Sequence, residues 1–151
     1  MRLILPRELT ARLKVHLRRA GRREIGGLMM AEQIEPGFFR LHDITVNEHS
    51  GSDYHFDRRI LDHRAALSSF FSQTGNDFAR FNYLGEWHSH PSFDLSPSRT
   101  DIDAMRQLVQ EPSLGFAALM IVRLRYFLYL SVHAEFFKAD GSHAQVTLQF
   151  E

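Results

Sequence analysis

Hydrophobic positions along the chain change their period several times, and each change predicts an element. After Pro6, which suits a first helical turn, Leu9, Leu13 and Leu17 fall on one helical face that runs to Gly21. Ile25–Ala31 and Phe38–Val46 read as strands joined by Glu35-Pro36-Gly37, a turn signal. Tyr54-His55-Phe56 reads as a short strand. Asp57 then caps a helix with Ile60, Leu67 and Phe71 on one face, ending near Gly75. The segment from Arg80 to His88 mixes aromatic and β-favouring residues in rough alternation, and Pro91 ends it as a strand. Ser98 opens a helix striped by Ile102, Met105, Leu108 and Val109. Gly115–Val122, Tyr126–His133 and Ala144–Phe150 are strand-like. Strands dominate, with about three helices to pack on them.

At 151 residues the chain is expected to form one domain, residues 1–151, able to bury a core without disulfides. There are no repeats or low-complexity linkers to divide it. The net charge is zero, which points away from nucleic acid and membrane surfaces as partners. The exception is a basic run, Arg12, Lys14, Arg18, Arg19, Arg22 and Arg23. It reads as a solvated helix face or as a docking surface for an acidic partner. No apolar stretch reaches membrane-spanning length, and Met1–Pro6 is too short for a signal peptide. The chain contains no cysteine, which fits a cytoplasmic location and excludes a cysteine nucleophile. Phenylalanines occur as adjacent pairs, Phe38-Phe39, Phe70-Phe71 and Phe136-Phe137. In an alternating strand one of each pair faces outward, where it could line a peptide groove.

The candidate chemistry lies in Gly85-Glu86-Trp87-His88-Ser89-His90-Pro91, followed by Ser98 and Asp101. Two imidazoles at i and i+2 of a strand face the same way and can share one metal. A carboxylate opening the next helix supplies a third ligand and leaves a fourth position open, the usual makeup of a catalytic zinc site. Ser98 and Asp101 have a plainer reading as well, a helix cap in which Ser98 bonds a first-turn amide. The seven other histidines are scattered singly and read as ordinary surface or core imidazoles.

His88-Ser89-His90-Pro91, then Ser98 and Asp101, resembles the JAMM motif of MPN+ (JAB) metalloproteases: His-x-His, seven residues, Ser-x-x-Asp. Arg23-Glu24-Ile25-Gly26-Gly27-Leu28-Met29-Met30 is similar to the upstream segment that carries the family's glutamate. The resemblance covers most of the chain. It implies an α/β fold of α+β-like character, an MPN/JAB-like sandwich of a curved mixed sheet with about three helices. It also implies roles. His88, His90 and Asp101 would hold one catalytic zinc ion, Glu24 would be the general base, and Ser98 would hydrogen-bond the developing oxyanion. Glu86, on the same strand face as the histidines, is a rival for the base that geometry alone does not separate from Glu24.

The implied activity is zinc-dependent peptide or isopeptide hydrolysis after the C-terminal tail of a ubiquitin-like or otherwise conjugated protein. The wording around the histidines looks more like small bacterial JAB proteins than deubiquitinases with large insertions. Similar proteins accompany activating and conjugating enzymes in CBASS and ubiquitination-like anti-phage systems, with a conjugated CD-NTase or ubiquitin-like protein as substrate. Two other classes are a non-catalytic MPN scaffold and a metal-dependent nuclease. Scaffold versions typically lack one or more of the motif residues, all of which are present here. The nuclease is disfavoured by the neutral charge and the single visible metal site.

Overall fold

The structure, a computed structural model, describes residues 1–47, 51–52, 55–56 and 60–151, with backbone alone at 51–52, 55–56 and 60–62. In chain order the elements are β1 (Arg2–Leu5), α1 (Arg7–Ala20), β2 (Gly26–Glu35), β3 (Phe38–Ile44), β4 (Gly51–Ser52) and β5 (His55–Phe56). Then come α2 (Ile60–Gln73), β6 (Phe81–Ser89), α3 (Arg99–Leu108), β7 (Phe116–Arg125), β8 (Tyr129–Lys138), β9 (His143–Gln145) and β10 (Thr147–Phe150). Eight strands form one mixed sheet in the order β10-β1-β3-β2-β6-β7-β8-β9, while β4 and β5 pair separately. The expected mixed α/β architecture with three helices is therefore present.

The sheet is curved until its two edges meet in one stretch of chain. Only Val146 separates β9 from β10, yet β9 pairs with β8 and β10 pairs in parallel with β1. The Val146 amide donates to Ala134 O (2.9 Å) and the Thr147 amide to Met1 O (3.0 Å), so the changeover takes one residue. Ala144–Phe150 thus divides into two short strands where the sequence predicts one.

Both faces of the sheet are covered. On one, α1 buries Leu9, Leu13, Leu17 and Ala20 against Leu3, Leu5, Met29, Trp87, Met120 and neighbouring residues. On the other, α3 packs Met105 and the following Val109 on Ala117, Leu119, Ile121 and Phe137. Consecutive residues of β7 consequently enter opposite cores, and its run of apolar residues carries no alternation because both faces are buried. The same arrangement corrects the expectation for the Phe136-Phe137 pair. Phe136 packs on the α1 side and Phe137 on the α3 side, so neither is left facing an open groove.

Three further differences have local causes. Met1–Leu5, considered in the sequence only as a leader, is a strand whose Leu3, Ile4 and Leu5 are all buried between β3 and β10. Around α2 the buried face passes through His63 and Phe70 rather than Phe71, because Phe70 reaches the rings of His42 and Phe81 on the sheet. Tyr126–Leu128, predicted as the start of a strand, is the turn of the β7–β8 hairpin. The expected Asp57 cap and Tyr54 lie outside the described residues.

Candidate metal centre

β6 delivers the histidines through a deliberate irregularity. Met29 pairs with Gly85 and Met30 with Tyr83, which leaves Leu84 as an extra residue on β6. The bulge changes the strand's phase: Leu84 and Trp87 both enter the α1 core, while Glu86 and His88 turn to the opposite face. Gly85 makes this possible. Its φ is +150°, and a Cβ there would lie 1.9 Å from Ala118 O on β7. Trp87, fully buried, locks the strand by donating its indole N–H to Thr45 O (2.9 Å).

Beyond Ser89 the chain leaves the ladder, but His90 stays attached through its amide to Val122 O (2.9 Å). The two imidazoles therefore converge as the i, i+2 spacing predicts, with Nε2 atoms 3.0 Å apart. Asp101 approaches from the first turn of α3, Oδ1 lying 3.5 Å from His88 Nε2 and Oδ2 3.7 Å from His90 Nε2. These three residues are the one such group among the described residues, their ligand atoms all within 4.8 Å of one another.

The supporting contacts explain why the three point inward. His90 Nδ1 is 2.6 Å from the carbonyl oxygen of Asp94, which can only accept. Nδ1 therefore carries the proton and Nε2 presents its lone pair to the centre, the tautomer a metal ligand needs. Asp101 Oδ2 accepts hydrogen bonds from the Ser98 amide (2.8 Å) and the Ser98 hydroxyl (2.6 Å). In return the Asp101 amide donates to Ser98 Oγ (3.1 Å), completing a capping box at the start of α3. Burial works against the charge on Asp101. The hydrogen bond and attraction from His88, with the two bonds from Ser98, outweigh it and hold the carboxyl well below the ordinary carboxylate range. Two imidazole nitrogens, that of His90 with its tautomer fixed, and one ionised carboxylate suit a zinc-type cation, with a coordination position to spare.

Glu24 is buried at the entrance to β2. There Gly26 pairs with His88, and Ser89 bonds Ile25 through both its amide (to Ile25 O, 2.8 Å) and its hydroxyl (from Ile25 N, 3.0 Å). Glu24 precedes Ile25 and His90 follows Ser89, so the two flank the same end of the β2–β6 pair. Glu86, equally buried, pairs with Leu28 and lies on the far side of His88 from that end. Ser98 caps the helix with its hydroxyl engaged by Asp101.

A model of the prokaryotic homologues of the JAB domain matches residues 6–137. The chain belongs to this family. Two solved structures share the prokaryotic JAB protein's fold along nearly its whole length. The solution structure of protein DSY2949 from Desulfitobacterium hafniense has a TM-score of 0.72 at 20% identity, covering 99% of this chain and 94% of that one. A protein from Salinibacter ruber has a TM-score of 0.58 at 19% identity, covering 99% and 92%. No protein of curated function matches.

Several residues around the centre carried no signal in sequence. Phe93 is exposed and places its ring 6.3 Å from that of His90, while Arg123 on β7 holds its carbonyl (Nη1 to Phe93 O, 2.7 Å). Tyr126, Phe127, Leu128 and Tyr129 crown the β7–β8 hairpin and are all exposed. Away from the centre, the Glu135 carboxylate is bridged by His133 (3.1 Å) and His143 (2.8 Å), two of the scattered histidines. Among the described residues no helix is long and apolar enough to cross a membrane.

Proposed function

We infer that this JAB-family chain is a zinc-dependent peptidase or isopeptidase. Its substrate would be a ubiquitin-like or otherwise conjugated protein, cleaved after its flexible C-terminal tail. The observation that carries the reading is the convergence of His88, His90 and Asp101, with the buried Glu24 one residue before Ile25, the partner of Ser89, as its support. When bound, zinc supplies a water whose pKa falls from about 16 to about 7 and an electrophile for the scissile carbonyl. His88, His90 and Asp101 hold the ion, and Asp94 and Ser98 fix the orientation of two of those ligands.

Glu24 is the residue assigned to move protons, accepting one from the attacking water and returning it to the leaving amine, without which an amide does not depart. Its burial keeps it out of bulk solvent. Ser98 sits at the rim and is assigned to the oxyanion, turning its hydroxyl from Asp101 toward the developing charge. A donor so placed typically lowers the barrier by about 3–4 kcal/mol. The biological setting that fits is a bacterial ubiquitination-like or CBASS anti-phage system in the cytoplasm. A conjugated CD-NTase or ubiquitin-like protein would be the substrate, and the activating and conjugating enzymes of the same operon the partners.

A second reading, a non-catalytic scaffold, draws on one observation: the capping box accounts for Ser98 and Asp101 as helix stabilisers without any ion. The test combines metal analysis with turnover. Protein prepared without chelators should hold one zinc ion and cleave a ubiquitin-like protein fused through its tail to a reporter, and chelation should abolish cleavage. Glu24→Gln should keep the zinc and lose turnover. Zinc without cleavage of any tail fusion, for wild type as for the variant, would favour the scaffold.

A further inference from the structure

A second recognition element stands at the end of the sheet from which β6 releases His90. The turn Tyr126-Phe127-Leu128 puts two consecutive bulky residues in the left-handed region, with φ of 50° at Tyr126 and 59° at Phe127. Large side chains rarely occupy that region, and glycine or asparagine would serve a turn of this kind better. The strain presents aromatic surface to solvent: Tyr126 is 83% exposed and Phe127 72%. Arg18 on α1 pins the turn by donating to Phe127 O (2.9 Å).

Beneath the turn lies a cleft of about 200 Å³, lined among others by Leu17, Arg22, Pro91, Arg123, Tyr126 and Phe127. It opens at the end of the sheet where β6 releases His90, and Pro91 forms part of its wall. The cleft and the centre are also joined through Phe93, which touches His90 on one side and is held by Arg123 on the other. No acidic residue lines the cleft, and among the described residues neither Arg22 nor Arg123 meets a carboxylate. Two guanidiniums between apolar walls complement an extended chain that alternates carboxylate and apolar side chains.

We propose that this cleft and the aromatic turn above it bind an acidic-apolar segment of the substrate polypeptide, adjacent to the bond at the metal centre. The assignment rests on the peptidase reading and adds to it a sequence preference. The aromatic rings supply contact area at low cost in side-chain entropy, and the guanidiniums select against basic segments.

The experiment uses fluorescence polarisation with three labelled decapeptides: alternating glutamate and leucine, alternating lysine and leucine, and a neutral glycine-serine chain. The first should bind the full chain at least tenfold more tightly than the others, with and without chelator. Arg22→Glu and Phe127→Gly should each weaken that binding about tenfold or more. Phe127→Gly should at the same time raise the midpoint of urea unfolding, since it relieves the left-handed strain, so its loss of binding is not a loss of fold. Equal affinity for the three peptides, or affinity unmoved by both variants, overturns the proposal. So does a concentration-dependent dimer that Phe127→Gly dissolves, which would assign the turn to a second copy of the chain. Cleavage followed in the same samples separates the two readings. Binding without cleavage of any substrate counts against the peptidase alone, while cleavage indifferent to both variants counts against the docking surface alone.

Discussion

His90 Nδ1 lies 2.6 Å from the carbonyl oxygen of Asp94, and this one contact decides which nitrogen of the ring faces the centre. The acceptor belongs to the backbone, so its position depends on how the loop between β6 and α3 is anchored. Leu95, packed against the Met105 cluster, is one anchor, and Arg123 on the Phe93 carbonyl is another.

Leu95→Gly should therefore leave the sheet intact but weaken zinc binding about 10- to 100-fold, the usual effect of disturbing a ligand's hydrogen-bond partner. Competition with a zinc-responsive dye measures it. Unchanged affinity would mean that the Asp94 contact does not orient His90.

Ser98 carries two loads, the helix cap and the carboxylate of Asp101. Ser98→Ala should lower stability by about 1 kcal/mol in urea unfolding of the zinc-free protein, the usual worth of an N-cap. It should also weaken zinc binding, while Ser98→Thr, which keeps the hydroxyl, should restore both. If stability drops but zinc affinity does not, the capping box has no part in presenting Asp101.

The bulge at Leu84–Gly85 sets the phase of the whole histidine strand, and a side chain at Gly85 would meet the backbone of β7. Gly85→Ala should cost about 3 kcal/mol or more, through clash and the left-handed φ together. Gly115→Ala, where a Cβ meets nothing within 4 Å, is the control and should stay within about 0.5 kcal/mol of wild type. Equal, small effects at both positions would contradict the close approach of β6 and β7.

Because the Asp101 carboxyl is held below its ordinary range, the folded protein binds fewer protons there than the unfolded chain. Its stabilising contribution is complete above the unfolded value near pH 4 and is lost as pH falls through the folded value. In the zinc-free protein Asp101→Asn should flatten the fall of stability below about pH 4, as read by urea unfolding at stepped pH. A wild-type and a variant profile of identical slope would show that the carboxyl gains nothing from its partners. At pH 5 Asp101 keeps its charge, so protonation of this carboxylate does not release zinc there.

Much of the site was legible in sequence because its determinants are local. The i, i+2 alternation of a strand turns His88 and His90 to one side, and Pro91 ends the ladder beside them. A Ser-x-x-Asp opening of a helix fixes Asp101 by the same capping chemistry wherever it occurs. The face of α1 was equally plain, since Leu9, Leu13 and Leu17 repeat at helical spacing over a whole helix. What failed to show was whatever depended on a partner far away in the chain. Leu3–Leu5 is a strand only because β3 and β10 lie on either side of it, and the choice of Phe70 over Phe71 depends on rings supplied by the sheet.

Residue order alone, then, determined which atoms could bind a cation and on which elements they would stand, because strand alternation and helix capping act over a few bonds. Tertiary structure decided the rest. Long-range register brought the start of β2, just after Glu24, to the end of β6 that carries the histidines, and paired Glu86 with Leu28 further along. The closure of the sheet by β9 and β10, and the exposed aromatic turn beside a cleft lined by Arg22 and Arg123, likewise arise from segments that meet only when the chain is folded.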